Sequence, residues 1–186
     1  PPVHPREPWA TGRDIFHSPF YEREKELGGY FDNEIAGWER AYAYAANEEK
    51  LQKFLAHVPV RENEWDRRHV PYETANAEHL AMSDHVGMIN LSHFAIFDVA
   101  GSDAERLLET LCVARIGGST PHGKVVYTNF LNHLGGVQSD LTICRLSDDR
   151  YRVITGGADG NRDWVWIRNA RDDQGLDAHL EIRTHD

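Results

Sequence analysis

Between Lys124 and Gly157 the chain reads KVVYTNFLNHLGGVQSDLTICRLSDDRYRVITGG, and no other stretch restricts the fold as tightly. Three runs rich in β-branched and aromatic residues are separated by NHLGG and SDD, which are turn compositions. Glycine at 135 and 136 supplies positive φ where two strands reverse into a hairpin. Consecutive runs joined this closely pair as an antiparallel meander.

The flanks extend that sheet. In HFAIFDVAG, Phe94, Ile96 and Asp98 alternate with Ala95, Phe97 and Val99, a strand covered on both faces. SDAERLLETLC follows as an amphipathic helix with Ser102 as its N-cap and Leu107, Leu108 and Leu111 on one face. ADGNRDWVWIRNA places Trp164 and Ile167 at helical spacing, and DAHLEIRT closes as an edge strand. The order strand, helix, three strands, helix, strand predicts an α+β fold: a mostly antiparallel sheet over about 92–183, with helices 102–112 and 159–170 packed on one side. Upstream, PYETANAEHLAMSD is helical, with Ala77, Leu80 and Ala81 inward, Thr74 as a cap, and an end before Gly87. Residues 1–70, rich in Pro, Trp, Tyr and charge, show no sustained period and read as an arm lying on something else.

Apolar residues at 40% and charged residues at 27% of 186 positions place the chain in the globular class. A net charge of −10 argues against nucleic acid or an anionic membrane as the main partner, since both reward clustered Lys and Arg. No apolar run is long enough to span a bilayer, and PPVHPREPWATGR lacks the apolar core of a secretory signal. Cys112 and Cys144 sit in apolar contexts, which predicts two buried thiols in a reducing compartment. The glycine fingerprints of dinucleotide and phosphate loops, the paired histidines of zinc proteases and the nucleophile elbow are all missing. The histidines are dispersed, and no metal site is expected.

Three longer segments, SPFYEREKELGGYFDNEIAGWERA, VGMINLSHFAIFDVAGSDAERLLETL and the 124–157 run, occur in that order. Together they resemble the glycine-cleavage T-protein (aminomethyltransferase) superfamily, especially the C-terminal, folate-binding half of dimethylglycine and sarcosine dehydrogenases. SPFYER and GWER are characteristic of those flavoenzymes, whereas NLSHF and GGVQSDLT are shared more widely. The resemblance spans residues 18–170, and segment 47–66 reads as a family-specific insertion.

The resemblance implies tetrahydrofolate-dependent transfer of a one-carbon unit from an aminomethyl or iminium substrate. It matches Asp140 to the carboxylate beside the reactive folate nitrogens, where it stabilises positive charge and relays a proton. By the same alignment Tyr127 lines the pterin pocket, Ile154 offers it a side chain, and Gly156 offers a polar contact. T-proteins commonly have Asn at that last position, so either Gly156 acts there through its backbone or the pterin is held differently. The residues alone permit blander roles: Asp140 as a cap bonding amides near Gly135 and Gly136, and Tyr127 as a packed cross-strand aromatic. His93, Trp38, Trp164 and Trp166 read as packing residues.

The resemblance also implies a domain order. Residues 1–70 form an arm or linker from a preceding flavin-dependent, oxidoreductase-like region that holds FAD. Residues 71–186 form the folate-binding domain, truncated before a second subdomain that supplies a glutamate and arginines. The implied partners are folate, a small N-methyl amine and the flavin domain of the parent chain, with no nucleic acid and no membrane. The location is cytoplasmic, or the mitochondrial matrix in a eukaryote. A non-catalytic folate-binding or scaffolding module of the same fold is the alternative, since fold alone does not fix function.

Overall fold

The computed structural model describes residues 12–31, 33–58 and 72–184. Two compact units divide the chain at 92/93. The arm's first residues, the latter part of segment 47–66 and Pro71 lie outside the described residues.

The first unit is assembled from short elements: α1 (Tyr21–Glu26), β1 (Asn33–Ile35), β2 (Trp38–Arg40), α2 (Glu48–Leu55) and α3 (Tyr72–Asp84). Strands β1 and β2 pair antiparallel across Ala36 and Gly37, whose φ angles of 53° and 87° give the twist a tight hairpin needs. Polar contacts do much of the tying. The Glu39 carboxylate accepts from Arg13 Nε at 2.8 Å and Arg13 Nη2 at 2.7 Å, and from the Asp14 amide at 2.8 Å. The Arg13 hydrogen bonds hold Glu39 below the usual carboxylate range against the opposing effect of burial. Glu24, also buried, accepts from Tyr44 Oη and Asn90 Nδ2. Leu51, Phe54 and Ala77 form a small core between α2 and α3. Thr74 is buried inside α3 and does not cap it, because the helix has already begun at Tyr72.

In the second unit the chain runs β3 (Ala95–Ala100), α4 (Ala104–Leu111), β4 (Val125–Leu131), β5 (Val137–Arg145), β6 (Arg150–Thr155), α5 (Gly160–Gln174) and β7 (His179–Ile182). The strands form one five-stranded sheet in the order β4-β5-β6-β3-β7, every pairing antiparallel. This is the expected α+β sheet, with β7 at one edge and the meander at the other. Leu107, Leu108 and Leu111 of α4 and Ile167 of α5 share one core with Phe97, Val99, Phe130, Leu141, Ile143, Tyr151 and Val153. Burial of each such side chain contributes roughly 1.5–3 kcal/mol. Strand β3 is buried on its core face, whereas on the other face Asp98 is only 2% exposed and Ile96 and Ala100 are half-buried, so the expected cover on both faces is partial.

Four local expectations are corrected. Asp103, not Ser102, occupies the N-cap of α4 and makes no side-chain capping bond. The α5–β7 connection competes for both residues: Ser102 Oγ donates to Asp177 Oδ2 at 2.9 Å, and the Asp177 amide donates to Asp103 Oδ2 at 2.9 Å. The second correction is that Cys112 and Cys144 are free thiols of intermediate exposure rather than fully buried. Burial, with the nearby Glu109 charge, pushes the Cys112 thiol up to about 12. Third, Gly135 takes φ 79° in the β4–β5 turn, but Gly136 does not adopt a positive φ. There the Asn132 carboxamide closes the turn, its Oδ1 accepting from the Leu134 and Gly136 amides at 2.9 Å. Finally, α5 runs on to Gln174, past the expected 170, where the left-handed Gly175 caps it. The β4–β5 register also shifts between Phe130 and Leu131, so that Phe130 faces Ser139 while Leu131 faces Val137.

Candidate functional site

Alternation along β5 sends Ser139, Leu141 and Ile143 into the core and leaves Asp140, Thr142 and Cys144 on the face turned away from α4 and α5. The pairing carries that parity to the neighbouring strands. Tyr127 faces Thr142 and Asn129 faces Asp140, while Thr142 faces Ile154 on β6. Tyr127, Asp140 and Ile154, which lie far apart in sequence, therefore share one open face of the sheet.

Tyr127 and Asp140 meet directly. The phenol donates to Asp140 Oδ2 at 3.2 Å, along the diagonal that long side chains span on an antiparallel pair. The tyrosine is 66% exposed, so it is not packed across the hairpin. Nor does Asp140 cap the hairpin, since Asn132 takes that role. What remains is an exposed carboxylate with an aromatic hydroxyl beside it. Gly156 lies just beyond β6, in the turn into α5, where its carbonyl accepts from the Asp159 amide at 2.9 Å. A Cβ at 156 would stand 3.1 Å from Asp159 Oδ2, so a larger residue such as Asn would crowd that carboxylate. The adjoining Gly157 is required by close approach: a Cβ there would come within 2.1 Å of the His93 carbonyl oxygen. His93 thus meets the site region through its backbone.

The hydrogen bond to Asp140, and then that carboxylate's charge, hold the Tyr127 phenol above its ordinary value. Tyr127 is therefore expected to titrate above the usual tyrosine pKa of about 10, and Asp140→Asn to bring its midpoint down. Ring resonances of Tyr127 followed by NMR against pH measure this directly. An identical midpoint in the variant would show that the two side chains do not meet in solution.

Sequence reasoning missed three groups near the site. Asn129 stands directly opposite Asp140. Beneath the face, Ser139 and Thr155 bond to the buried Asp163. Farther along the same face, Asp98 accepts from Arg150 Nη2 at 2.5 Å and from Arg152 Nε at 2.8 Å, with Arg183 Nε at 3.6 Å. Burial alone would raise the Asp98 carboxyl, but bonds from Arg152 and Arg150 outweigh it and hold the group below its ordinary value. Strand parity was the available signal for Asn129 and Asp98. Nothing local marked Asp163, which reads as an ordinary first-turn acid of α5.

Among the described residues, no three His, Cys, Asp or Glu side chains gather in a way that holds a metal ion, and no helix is long and apolar enough to cross a membrane.

Comparison with known proteins places the chain among relatives. The family model described as the GCVT N-terminal domain matches residues 20–186. The chain is similar to the 4-methylaminobutanoate oxidase (formaldehyde-forming) of Paenarthrobacter nicotinovorans, with 37% identity over 145 residues that cover 78% of this chain and 16% of that protein. It is also similar to the aminomethyltransferase of Legionella pneumophila (strain Corby), 32% identical over 104 residues, 56% of this chain and 29% of that one. The chain thus spans less than a third of each curated relative. The solved structure of the glycine cleavage system aminomethyltransferase T from Bartonella henselae superposes with a TM-score of 0.64 over 92% of this chain and 39% of that chain, at 18% identity, and so shares its fold.

Proposed function

Because the chain belongs to the GCVT N-terminal domain family, we propose that it is the tetrahydrofolate-binding, one-carbon-transfer part of a larger enzyme that demethylates an N-methyl amine of the dimethylglycine or sarcosine type. The observation that carries the reading is the Tyr127–Asp140 pair at 3.2 Å on the exposed face of the sheet. Tetrahydrofolate, when bound, supplies the nitrogen that accepts the one-carbon unit.

The residues present suit that ligand. The exposed Tyr127 ring offers an aromatic edge or face to a pterin, and Ile154 offers an apolar side. Gly156 contributes main-chain atoms, its carbonyl keeping a second lone pair beyond the bond from Asp159. Asp140 stabilises positive charge developing on the transferring amine and takes up the proton released. Tyr127 fixes the orientation of that carboxylate through its hydrogen bond.

In this reading the FAD-dependent oxidation belongs to an upstream region of the parent chain, to which residues 1–70 form the link. Residues 71–186 belong to the folate domain, completed by a second subdomain. The free thiols suit a reducing compartment, the cytoplasm or the mitochondrial matrix of a eukaryote. Calorimetry on the full-length protein tests the ligand: tetrahydrofolate is expected to bind, and NAD and duplex DNA to give no heat. Clear DNA binding with no response to tetrahydrofolate would reverse the assignment.

A further inference from the structure

Asp163, in the first turn of α5, is only 1% exposed, yet it lies directly beneath the two strand ends that carry the candidate site. Its Oδ2 accepts from Ser139 Oγ at 2.7 Å and from Thr155 Oγ1 at 2.6 Å, and those hydroxyls are 3.3 Å apart. Arg162 Nε lies 3.3 Å from its other oxygen. Ser139 immediately precedes Asp140, while Thr155 stands between Ile154 and Gly156.

The position of this clamp matters because the β5–β6 ladder ends at the pair Leu141 and Thr155. Asp140 lies beyond the ladder, where the chain after β6 turns away toward α5. There the hydroxyls of Ser139 and Thr155, joined on one carboxylate oxygen, tie the strand ends together. A buried carboxylate carries a heavy desolvation cost, and a well-packed apolar residue often serves stability as well or better. Its use at this point is better matched to geometry than to core stability.

We propose that Asp163 is a positioning residue of the folate site, holding the ends of β5 and β6 so that Asp140 and the Ile154–Gly156 segment keep a fixed spacing. The inference rests on the one-carbon-transfer reading above. Successive strand residues point to opposite faces, so a displacement of Ser139 in the core moves Asp140 on the open side by a similar amount. A misplacement near 1 Å costs on the order of 10²-fold in rate.

The test is a double-mutant cycle in the full-length protein, reading methylenetetrahydrofolate formed per turnover. Ser139→Ala combined with Thr155→Val removes the clamp but leaves the buried Asp163 carboxylate without those two donors. Asp163→Asn, which keeps an acceptor and loses the charge, is therefore run beside it, and the melting temperature of each variant is read with its rate. With Asp140 present, the double variant is expected to lose transfer by about tenfold or more. In the Asp140→Asn background it should lose little further, because the group being positioned is no longer functional. Using Thr155→Ser in place of Thr155→Val keeps a hydroxyl there and should recover part of the rate. Equal fractional losses in both backgrounds, or no loss in either, would assign the cluster to structure alone. If Asp140→Asn by itself left transfer unchanged, both the functional reading and this inference would fall. A large effect of Asp140→Asn with a silent clamp variant would overturn the inference only.

Discussion

Asp140→Asn in the full-length protein is expected to lower one-carbon transfer on the order of 10²-fold or more while leaving the fold in place. The substitution keeps shape and hydrogen-bonding capacity but removes the charge that would stabilise a cationic amine and the base that would take its proton. Asp140 is exposed and is not the hairpin cap; Asn132 closes that turn, so no folding role is lost. Its contact with Tyr127 survives the change, because the Asn carboxamide oxygen still accepts from the phenol. Amine oxidation, proposed for a separate flavin site, should be largely spared. The measurement is methylenetetrahydrofolate per amine oxidised, together with the melting temperature. Unchanged transfer at an unchanged melting temperature would remove Asp140 from the site, and parallel loss of both activities with stability would make it structural.

The second large effect is on stability. Asp98→Asn is expected to destabilise the chain by about 1–2 kcal/mol, because the side chain gives up its charge-assisted hydrogen bonds but keeps an acceptor. The effect stays moderate because the arginine side chains are 43%, 37% and 30% exposed and keep some hydration. The dependence on pH follows from the direction of the shift. Folding holds the Asp98 carboxyl below its unfolded value of about 3.9, so its stabilising contribution is complete above that value. The contribution disappears as pH falls through the lower, folded-state value. Urea unfolding across the acid range should therefore show a steeper loss of stability in the parent than in the Asn variant. Superimposable pH profiles would show that the arginine contacts do not hold the carboxyl down.

Much of the second unit was legible because its local and global signals agree. Leucines at 107, 108 and 111 follow the helical period, and residues 137–145 alternate with a period of two, so type and facing could both be read. The family resemblance named Tyr127 and Asp140 separately as site residues, and their direct hydrogen bond appears only in the folded chain. What stayed hidden depended on contacts distant in sequence. Ser102 looks like a cap until the α5–β7 connection, 75 residues away, takes its hydroxyl. Asp163 gains its role only when Ser139, 24 residues earlier, folds against it. In the first unit the strands are three residues long, too short for any period to register, and polar contacts such as Arg13 to Glu39 replace an apolar stripe. The α2 and α3 core of Leu51, Phe54 and Ala77 likewise forms across a sequence gap that local patterning does not bridge.

The register shift between Phe130 and Leu131 has a mechanical consequence. It separates the loop tip at 132–136 from the ladder that aligns Asn129 with Asp140 and Tyr127 with Thr142. A residue gained or lost at the tip can be taken up at this irregularity, whereas a regular ladder would carry the slip onward and turn Asp140 to the other side of the sheet. The tip is thereby mechanically decoupled from the pair beneath it, which stays aligned when the loop is displaced.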